Sequence, residues 1–550
     1  MPLEPPVRVV RELTSRGYNA EREAVTLLAN ADEPAAAVER AVDIAPSDAL
    51  TLTVDHVREA VGGAESRGPT ASGAGGSVAE SPSGESASAA NTPSSRGNNS
   101  HDNQDTGGRS PGETTGVETG AEESTKVDSG TGSASQQRTR DANADADAGH
   151  QNLDIAGDIT GESTGTGEYK DFVATFRDRY ERLSKKLRGR VNHRPTDALH
   201  SMPGGSEAAT VGMVNDVRST ASGHWLVELE DTNGVFPVLV MKDRDIAAHV
   251  DELLTDEVIA VEGSLSSDGG ILFVDELYFP DIPRTHEPNT ADRHVQAALV
   301  SDVHVGSQEF AGREWTTFAD WLHTEEADPV EYLLVAGDMV EGVGVYPGQD
   351  EELDIVDIYE QYETFAEHLK DVPGDMEIVM IPGNHDTVRL AEPQPAFDDE
   401  LRDIMSAHDA TITGNPSTVT VEGVDILMYH GVSIDEVIAE HPGEDVSYDA
   451  PHKAMEQLLK KRHVAPQFGG RTRLAPEKED YLVIDEVPDV FHTGHVHKLG
   501  VGGYHNVRLV NSGCWQHQTA FQESVNIQPD VATAPILDLD TLDVTVRKFR

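Results

Sequence analysis

Hydrophobic spacing changes several times along the chain, and each change marks a segment. In residues 1–61 the apolar positions form short helical faces: Val9, Val10 and Leu13, then Val25, Leu27 and Leu28, then Val38, Val42 and Ile44, then Val54, Val57 and Val61. They predict about three or four short helices with little core of their own. A small bundle and an interaction domain for a partner fit them equally. From Gly62 to Asn152 the only bulky aliphatic residues are Val78, Val117 and Val127, and there is no aromatic residue. Such a stretch cannot bury enough apolar surface to offset its ordering entropy. Residues 62–165 are therefore expected to be a disordered acidic linker rich in Gly, Ser and Thr.

Helical spacing returns in 166–200, where Phe172, Phe176, Tyr180, Leu183 and Leu187 form one face. The opposite side is assigned Arg177, Arg179, Arg182, Lys185, Lys186, Arg188 and Arg190, the densest basic run of the chain. This is either a solvated helix face or a surface for nucleic acid or a partner. In 201–290 the period shortens. Thr210–Val214, Trp225–Leu229, Val235–Val240, Val258–Val261 and Ile271–Val274 predict five strands, with a hairpin turn at Asp231–Gly234 and a helix over Ile246–Leu254. That order suggests an OB-fold β-barrel. Trp225, Phe236 and Phe273 are the aromatics available for stacking on a single strand, unless they sit in the core. From 291 to 550 apolar strands alternate with helical stretches, an α/β pattern.

Charge alters this picture less than its size suggests. The 550 residues carry 98 acidic and 42 basic side chains, a net charge of −56. Alone, that should repel nucleic acid and anionic membranes. The acidic residues, however, run through every segment, including the patterned ones, and lysine is scarce. This distribution fits a halophile better than acidic tails do. In molar salt the Debye length falls to about 3 Å, so total charge says little about partners. The one cysteine, Cys514, excludes an internal disulfide and a cysteine-rich zinc site. No run approaches the ~18 apolar residues of a membrane span, and the start lacks the pattern of a secretory signal. No membrane association and a cytoplasmic location are expected.

The chemistry gathers at predicted strand ends. Val295–Val300 runs into Asp302 and His304, Tyr332–Ala336 into Asp338, and Ile378–Pro382 into Asn384, His385 and Asp386. Val424–Tyr429 leads to His430, and Val490–Phe491 leads to His495 and His497. In open α/β sheets, ligands sit outside the carboxyl ends of the strands. Imidazole, carboxylate and amide oxygen without thiolate suit catalytic Mn²⁺, Fe or Zn²⁺. Side chains two apart on an extended Asp-x-His or His-x-His segment point the same way, so both can reach one metal site. A carboxylate such as Asp338 can bridge two cations. Each piece alone is as well explained by a turn or a hydrogen-bonded His; five in order are not.

Longer strings carry a resemblance. Ser301–Ser307, Gly337-Asp338 with Gly344–Gln349, Pro382–Asp386 with Ala391–Pro395, Tyr429–Gly431, Leu458–Pro466 and Thr493–His497 resemble the small subunit of archaeal D-family DNA polymerases, within the calcineurin-like metallophosphoesterase superfamily. The resemblance is close over about 200–550, looser in the N-terminal helices and absent in the linker. It implies, for 291–550, an α/β metallophosphoesterase domain: a two-sheet β sandwich flanked by helices. It also implies a 3′→5′ exonuclease acting on single-stranded or mismatched DNA 3′ ends, in a heterodimer with a separate large catalytic subunit. Two divalent ions are expected, Mn²⁺ before Fe, Zn²⁺ or Mg²⁺. Asp302, His304 and His497 would hold one; Asn384, His430 and His495 the other; Asp338 would bridge. His385 would act on the scissile phosphate and Asp386 would orient it. Arg389 is a candidate phosphate contact, and Lys453, Lys460, Lys461, Arg462 and His463 a candidate basic cluster. His492 reads as structural and Cys514 as a buried small residue. A non-catalytic scaffold and a stand-alone phosphodiesterase remain as alternatives. The acidity makes one prediction: in a thermal melt, stability rises toward molar KCl and activity persists, whereas unfolding on raising salt contradicts the halophile reading.

Overall fold

The computed structural model describes residues 153–550 apart from 163–164, 347, 407–408 and 525, together with scattered positions between 19 and 58. The chain forms two compact units, Met1–Ala134 and Ser135–Arg550. In the first, helical positions at Leu27–Leu28, Ala37–Val38 and Val57–Arg58 fall where the apolar faces predict helices. An unforeseen pair of short parallel strands, β1 (Asn19–Ala20) and β2 (Thr51–Leu52), joins them. The rest of the predicted 1–61 domain, and the linker through 152, lie outside the described residues.

The linker ends earlier than expected. Leu153–Ala156 is a strand, β3, paired antiparallel with β13 (Ser417–Val421) as the edge of a sheet. Its two alternating apolar side chains, Leu153 and Ile155, pack on the core of the α/β region. The predicted amphipathic helix follows as α1 (Tyr169–Leu187). It starts in a capping box between Glu168 and Asp171 and ends with Lys185 and Lys186, which favour the negative end of the helix dipole.

The five expected strands form a closed barrel: β4 (Glu207–Ser219), β5 (Trp225–Asp231), β6 (Gly234–Val240), β7 (Val258–Leu265) and β8 (Leu272–Tyr278), in the order β4-β5-β6-β8-β7. Alternation decides the sides. Val227, Leu229, Phe236 and Val238 point inward, while Glu228 and Phe273 remain at least partly outside. The Asp231 carboxylate ties the β5–β6 turn through Asn233 N (2.7 Å) and Gly234 N (3.1 Å). The predicted helix Ile246–Leu254 is shorter, Ala247–Val250. Phe236 is a core residue, so it is not available for stacking.

The remainder builds two six-stranded sheets. The first, in the order β12-β11-β10-β9-β18-β19, centres on the parallel strands β9 (Gln296–Val300), β10 (Val330–Ala336) and β11 (Glu377–Ile381), extended by β12 (Thr411–Ile412), β18 (Thr533–Asp538) and β19 (Val544–Lys548). The second, β16-β17-β15-β14-β13-β3, centres on β14 (Val424–Met428), β15 (Val490–Thr493) and β17 (Val507–Ser512), also parallel, with β16 (Leu499–Tyr504) at its edge. Period-two alternation buries both faces of each sheet. Ala297, Leu299, Leu334 and Val379 meet Val419, Ile426, Met428 and Val490 between the sheets. Ala298, Val300, Leu333 and Met380 face α2 (Gly312–Leu322) and α3 (Ile358–Leu369) through Trp315, Phe318 and Phe365. Leu427, Phe491 and Leu509 face α4 (Val432–Glu440) and α5 (Pro451–Lys461) through Ile434, Met455 and Leu458. The result is helix, sheet, sheet, helix.

The basic residues differ from expectation. Arg179 is not on a solvated face: it is 0 % exposed, 2.6 Å from Asp480 Oδ2, and donates to the Pro466 carbonyl. Arg182 and Lys186 reach Asp485, so much of the basic run docks α1 onto the 480–485 loop. Of the Lys453–His463 cluster, Lys453 keeps a partly exposed side chain beside Glu456, and the other four members are spent internally. Lys461 is buried 2.9 Å from Glu257, Lys460 pairs with Glu252, Arg462 donates to the carbonyls of Ile484 and Asp485, and His463 Nε2 lies 3.0 Å from Asp480. A helical wheel assigns angle, not depth, so the tertiary burial of these cations is invisible to it.

Arg179, Asp480 and His463 thus form one buried polar knot. Burial and the neighbouring Arg179 push the His463 pKa down to about 4, which keeps the ring neutral. Its contribution to stability is intact above the unfolded value of roughly 6.5 and is lost as pH falls from there toward 4. Replacing Asp480 by Asn leaves Arg179 buried without a counter-charge, and urea melts at pH 7 should show a loss of about 3–5 kcal/mol. A loss below ~1 kcal/mol, the range of a surface pair, contradicts this role.

Candidate metal centre

All candidate ligands leave the carboxyl ends of parallel strands: β9, β10 and β11 of the first sheet, β14 and β15 of the second. Because the two sheets pack face to face, these ends share one edge, and the five loops meet there. Asp302, His304, Asp338, His430 and His497 are all buried. The backbone is strained in a shared way. Asp302 (φ 53°), His304 (φ 55°), Asp338 (φ 52°), His495 (φ 72°) and His497 (φ 55°) all adopt the left-handed region, which costs a non-glycine residue free energy and clusters at functional sites.

This geometry corrects one expectation. The Asp-x-His and His-x-His segments are not extended, and His495 and His497 part company. His497 joins Asp302 and His304, while His495 joins Asp338 and His430; within each trio one ligand atom per residue lies within 4.8 Å of the others. Asp338 stands between them, its Oδ2 3.2 Å from His430 Nε2 and 3.8 Å from His304 Nε2. Asn384 Oδ1 is 3.0 Å from His430 Nε2. Glycines make the crowding possible. A Cβ on Gly383 would fall 2.2 Å from Asp338 Oδ1, and one on Gly337 2.5 Å from His430 Nδ1.

The imidazoles are oriented from behind. His430 Nδ1 lies 2.8 Å from the Ala336 carbonyl and His385 Nδ1 2.8 Å from that of Glu341. A carbonyl only accepts, so both rings carry their proton on Nδ1 and present Nε2 to the centre. His304 Nδ1 is 2.9 Å from Glu341 Oε2, and His497 Nδ1 is 2.9 Å from the Gln522 amide. His304 Nε2 and His497 Nε2 then face each other at 3.0 Å. Burial opposes charge on His304 and His430. The surrounding carboxylates together outweigh it: Glu341 with Asp338 and Asp302 raise the His304 pKa to about 9, and Asp338 with Asp302 raises that of His430 to about 10. Burial, with charged His304 alongside, holds His497 far below the ordinary range. Converging Nε2 atoms with Nδ1 tied back, beside carboxylate and amide oxygens, are the arrangement of ligands around a divalent cation. These residues fit a metal ion.

Sequence reasoning missed Glu341, Asp435 and Gln522. Glu341 touches His304, accepts from Gln516 Nε2 (2.7 Å), and offers its carbonyl to His385. Asp435, in the first turn of α4, is 3.4 Å from His495 Nε2. A carboxylate three residues after Asp338 was the only available signal for Glu341, and it has no special spacing. Asp386 lies beside the Gly383 turn. Its carboxylate accepts from Gly383 N (2.9 Å) and Tyr362 OH (3.1 Å), so it braces the ligand turn, while the His385 ring is held by Glu341. Burial, with the Asp338 charge nearby, raises its pKa to about 7. Arg389 is occupied by the Ala391 and Pro393 carbonyls and Glu477, not poised for phosphate. His492 is buried and meets Ser512 Oγ at 3.2 Å; Ser512 lies 2.7 Å from Ser301 Oγ, which bonds Asp302. Cys514 is buried with its thiol toward the Gln516 carbonyl, and burial raises its pKa.

Known proteins resemble the whole chain. A family profile for the B subunit of DNA polymerases alpha and epsilon matches residues 297–499, which include every candidate ligand. The DNA polymerase II small subunit of Halobacterium salinarum is 69% identical over 100% of both chains. That of Archaeoglobus fulgidus is 45% identical over 68% of this chain and 77% of its own. That of Methanothermobacter thermautotrophicus is 40% identical over 70% and 81%. On sequence over its full length, the chain belongs to the family of archaeal DNA polymerase II small subunits.

Proposed function

We propose that the α/β region is a calcineurin-like phosphoesterase domain working as a 3′→5′ exonuclease on single-stranded or mismatched DNA ends. In this reading it proofreads for a separate large catalytic subunit, the partner that the name of the relatives implies. The observation that carries it is the convergence of two ligand clusters on the single carboxylate of Asp338. Asp302, His304 and His497 would hold one divalent cation, and Asn384, His430 and His495 the other, Mn²⁺ being favoured by the nitrogen and oxygen donors. Two such ions supply an activated water and stabilise charge at phosphorus during in-line displacement.

The protein's own contribution follows from the geometry. His385 holds its Nδ1 proton on the Glu341 carbonyl, so Nε2 is the atom that meets the phosphate; as the doubly protonated imidazolium the ring can hand its Nε2 proton to the leaving 3′ oxygen or stabilise the charge there. The His385 backbone N–H donates to Asp338 Oδ1 at 2.8 Å, which locks ring and carboxylate to one turn. Glu341 fixes the His304 ring. Asp386 keeps the Gly383 turn open.

The test is digestion of a 5′-labelled primer with a 3′ mismatch by the full chain, with and without the large subunit, in Mn²⁺ and high salt. Shortening from the 3′ end is expected. His385→Ala should cost about 10²–10⁴-fold in rate with Mn²⁺ binding retained, and Asp338→Ala should lose both. Glu341→Gln should weaken Mn²⁺ binding by about 10–100-fold. Release of product from the 5′ end, or full activity in Asp338→Ala, would sink the reading.

A further inference from the structure

Near the metal centre, most of the described basic side chains are already engaged. Arg389, Lys460, Lys461 and Arg462 are occupied as described above, and Lys498 holds Asp449 (3.0 Å) and the Gln528 carbonyl. The loop 467–473, after α5, still presents exposed side chains. Arg471 and Arg473 are exposed, and so is Phe468, at 44 %. Phe468 is not loose: its ring is buttressed by Phe172 (centroids 5.3 Å apart) and Phe176 (5.4 Å) of α1, and its backbone N–H donates to Asp256 Oδ2. Arg471 is anchored at its backbone, where N–H donates to Glu436 Oε1 at 2.8 Å. At Gly470 a Cβ would collide with the Glu436 carboxylate. The Arg471 side chain hydrogen-bonds Tyr448, which in turn bonds Asp435, and Asp435 is 3.4 Å from the ligand His495. The loop therefore leads outward from the ligand cluster to a fixed, exposed aromatic ring.

We propose that loop 468–473 is a binding strap for the single-stranded end of a nucleic acid, with Arg471 on a backbone phosphate and Phe468 stacked against a base. This rests on the exonuclease reading above and names where its substrate strand lies. The pairing fits single strands, which combine cationic contact with stacking platforms. It also suits a protein adapted to salt, where counterion release contributes little and short-range stacking must supply the affinity. The exposed Arg471 and Arg473 of the same loop favour an anionic strand over a protein partner, which would also cover the exposed Tyr169 and Val173 of α1.

The experiment measures anisotropy of a labelled single-stranded oligo-dT with the full chain near molar KCl, alongside its 3′ digestion. Phe468→Ala should raise Kd about 5–150-fold, the equivalent of losing one base–aromatic stack of ~1–3 kcal/mol. Phe468→Leu keeps an apolar contact on Phe172 and Phe176 but no stacking face, and should show the same direction. Arg471→Ala should raise Kd about tenfold, with Arg471→Lys recovering only part. The KM for the oligonucleotide should rise relative to that for bis(p-nitrophenyl) phosphate, which has no flanking nucleotide. Unchanged Kd in these variants overturns the strap. So does loss of affinity for the large polymerase chain with oligonucleotide affinity intact, which would make the loop a protein interface. A wild type that binds the strand without shortening it would refute the nuclease reading alone, and the variant Kd values would still decide the strap.

Discussion

The site depends on one carboxylate. Asp338 is buried, its charge held far below the ordinary carboxylate pKa by the imidazoles around it against the cost of burial, and it stands between the two ligand trios. Ionised groups do not survive burial alone. Asp302, Asp338, Glu341 and the histidines are kept together because each faces an opposite charge or a dipole: Glu341 behind His304, the Ala336 carbonyl behind His430, backbone N–H groups of His385 and His495 on the aspartates. The Nε2 atoms of His304 and His497 face each other at 3.0 Å, where a cation can take the place of the proton they share.

The scaffold exists to hold that crowd in place. Two sheets with parallel central strands bring five loop starts to one edge, and burial of both sheet faces makes the edge rigid. The left-handed conformations of five ligands are stored strain, sustained by the packing around them. The barrel and α1 are fastened to this unit by buried ion pairs, Arg179 with Asp480 and Lys461 with Glu257. In a chain of net charge −56, several described cations, Arg179, Arg182, Lys186, Lys460, Lys461 and Arg462, serve as internal fasteners.

Much of this was legible in the sequence, and the limits are physical. The candidate ligands could be read because each follows an apolar strand, and strand-end chemistry has a direction. The barrel could be read because its strands alternate. Whether a basic residue points to water or to a buried partner could not, since Arg179 and Arg177 are only two positions apart and differ by what tertiary contact reaches them. β3 was hidden because two apolar residues in a Gly- and Asp-rich stretch are too few to announce a strand. The division of His495 from His497 came from the family resemblance and not from spacing. An extended segment would have sent both the same way, and only left-handed backbone sends them to different clusters.

The most direct measurement is anomalous scattering at the manganese edge from crystals of the protein grown or soaked in Mn²⁺. The account predicts two peaks about 3.5–4 Å apart, one beside Asp302, His304 and His497 and the other beside Asn384, His430 and His495, with Asp338 between them. A single peak, or none at saturating Mn²⁺ with the histidines still facing each other, would contradict it.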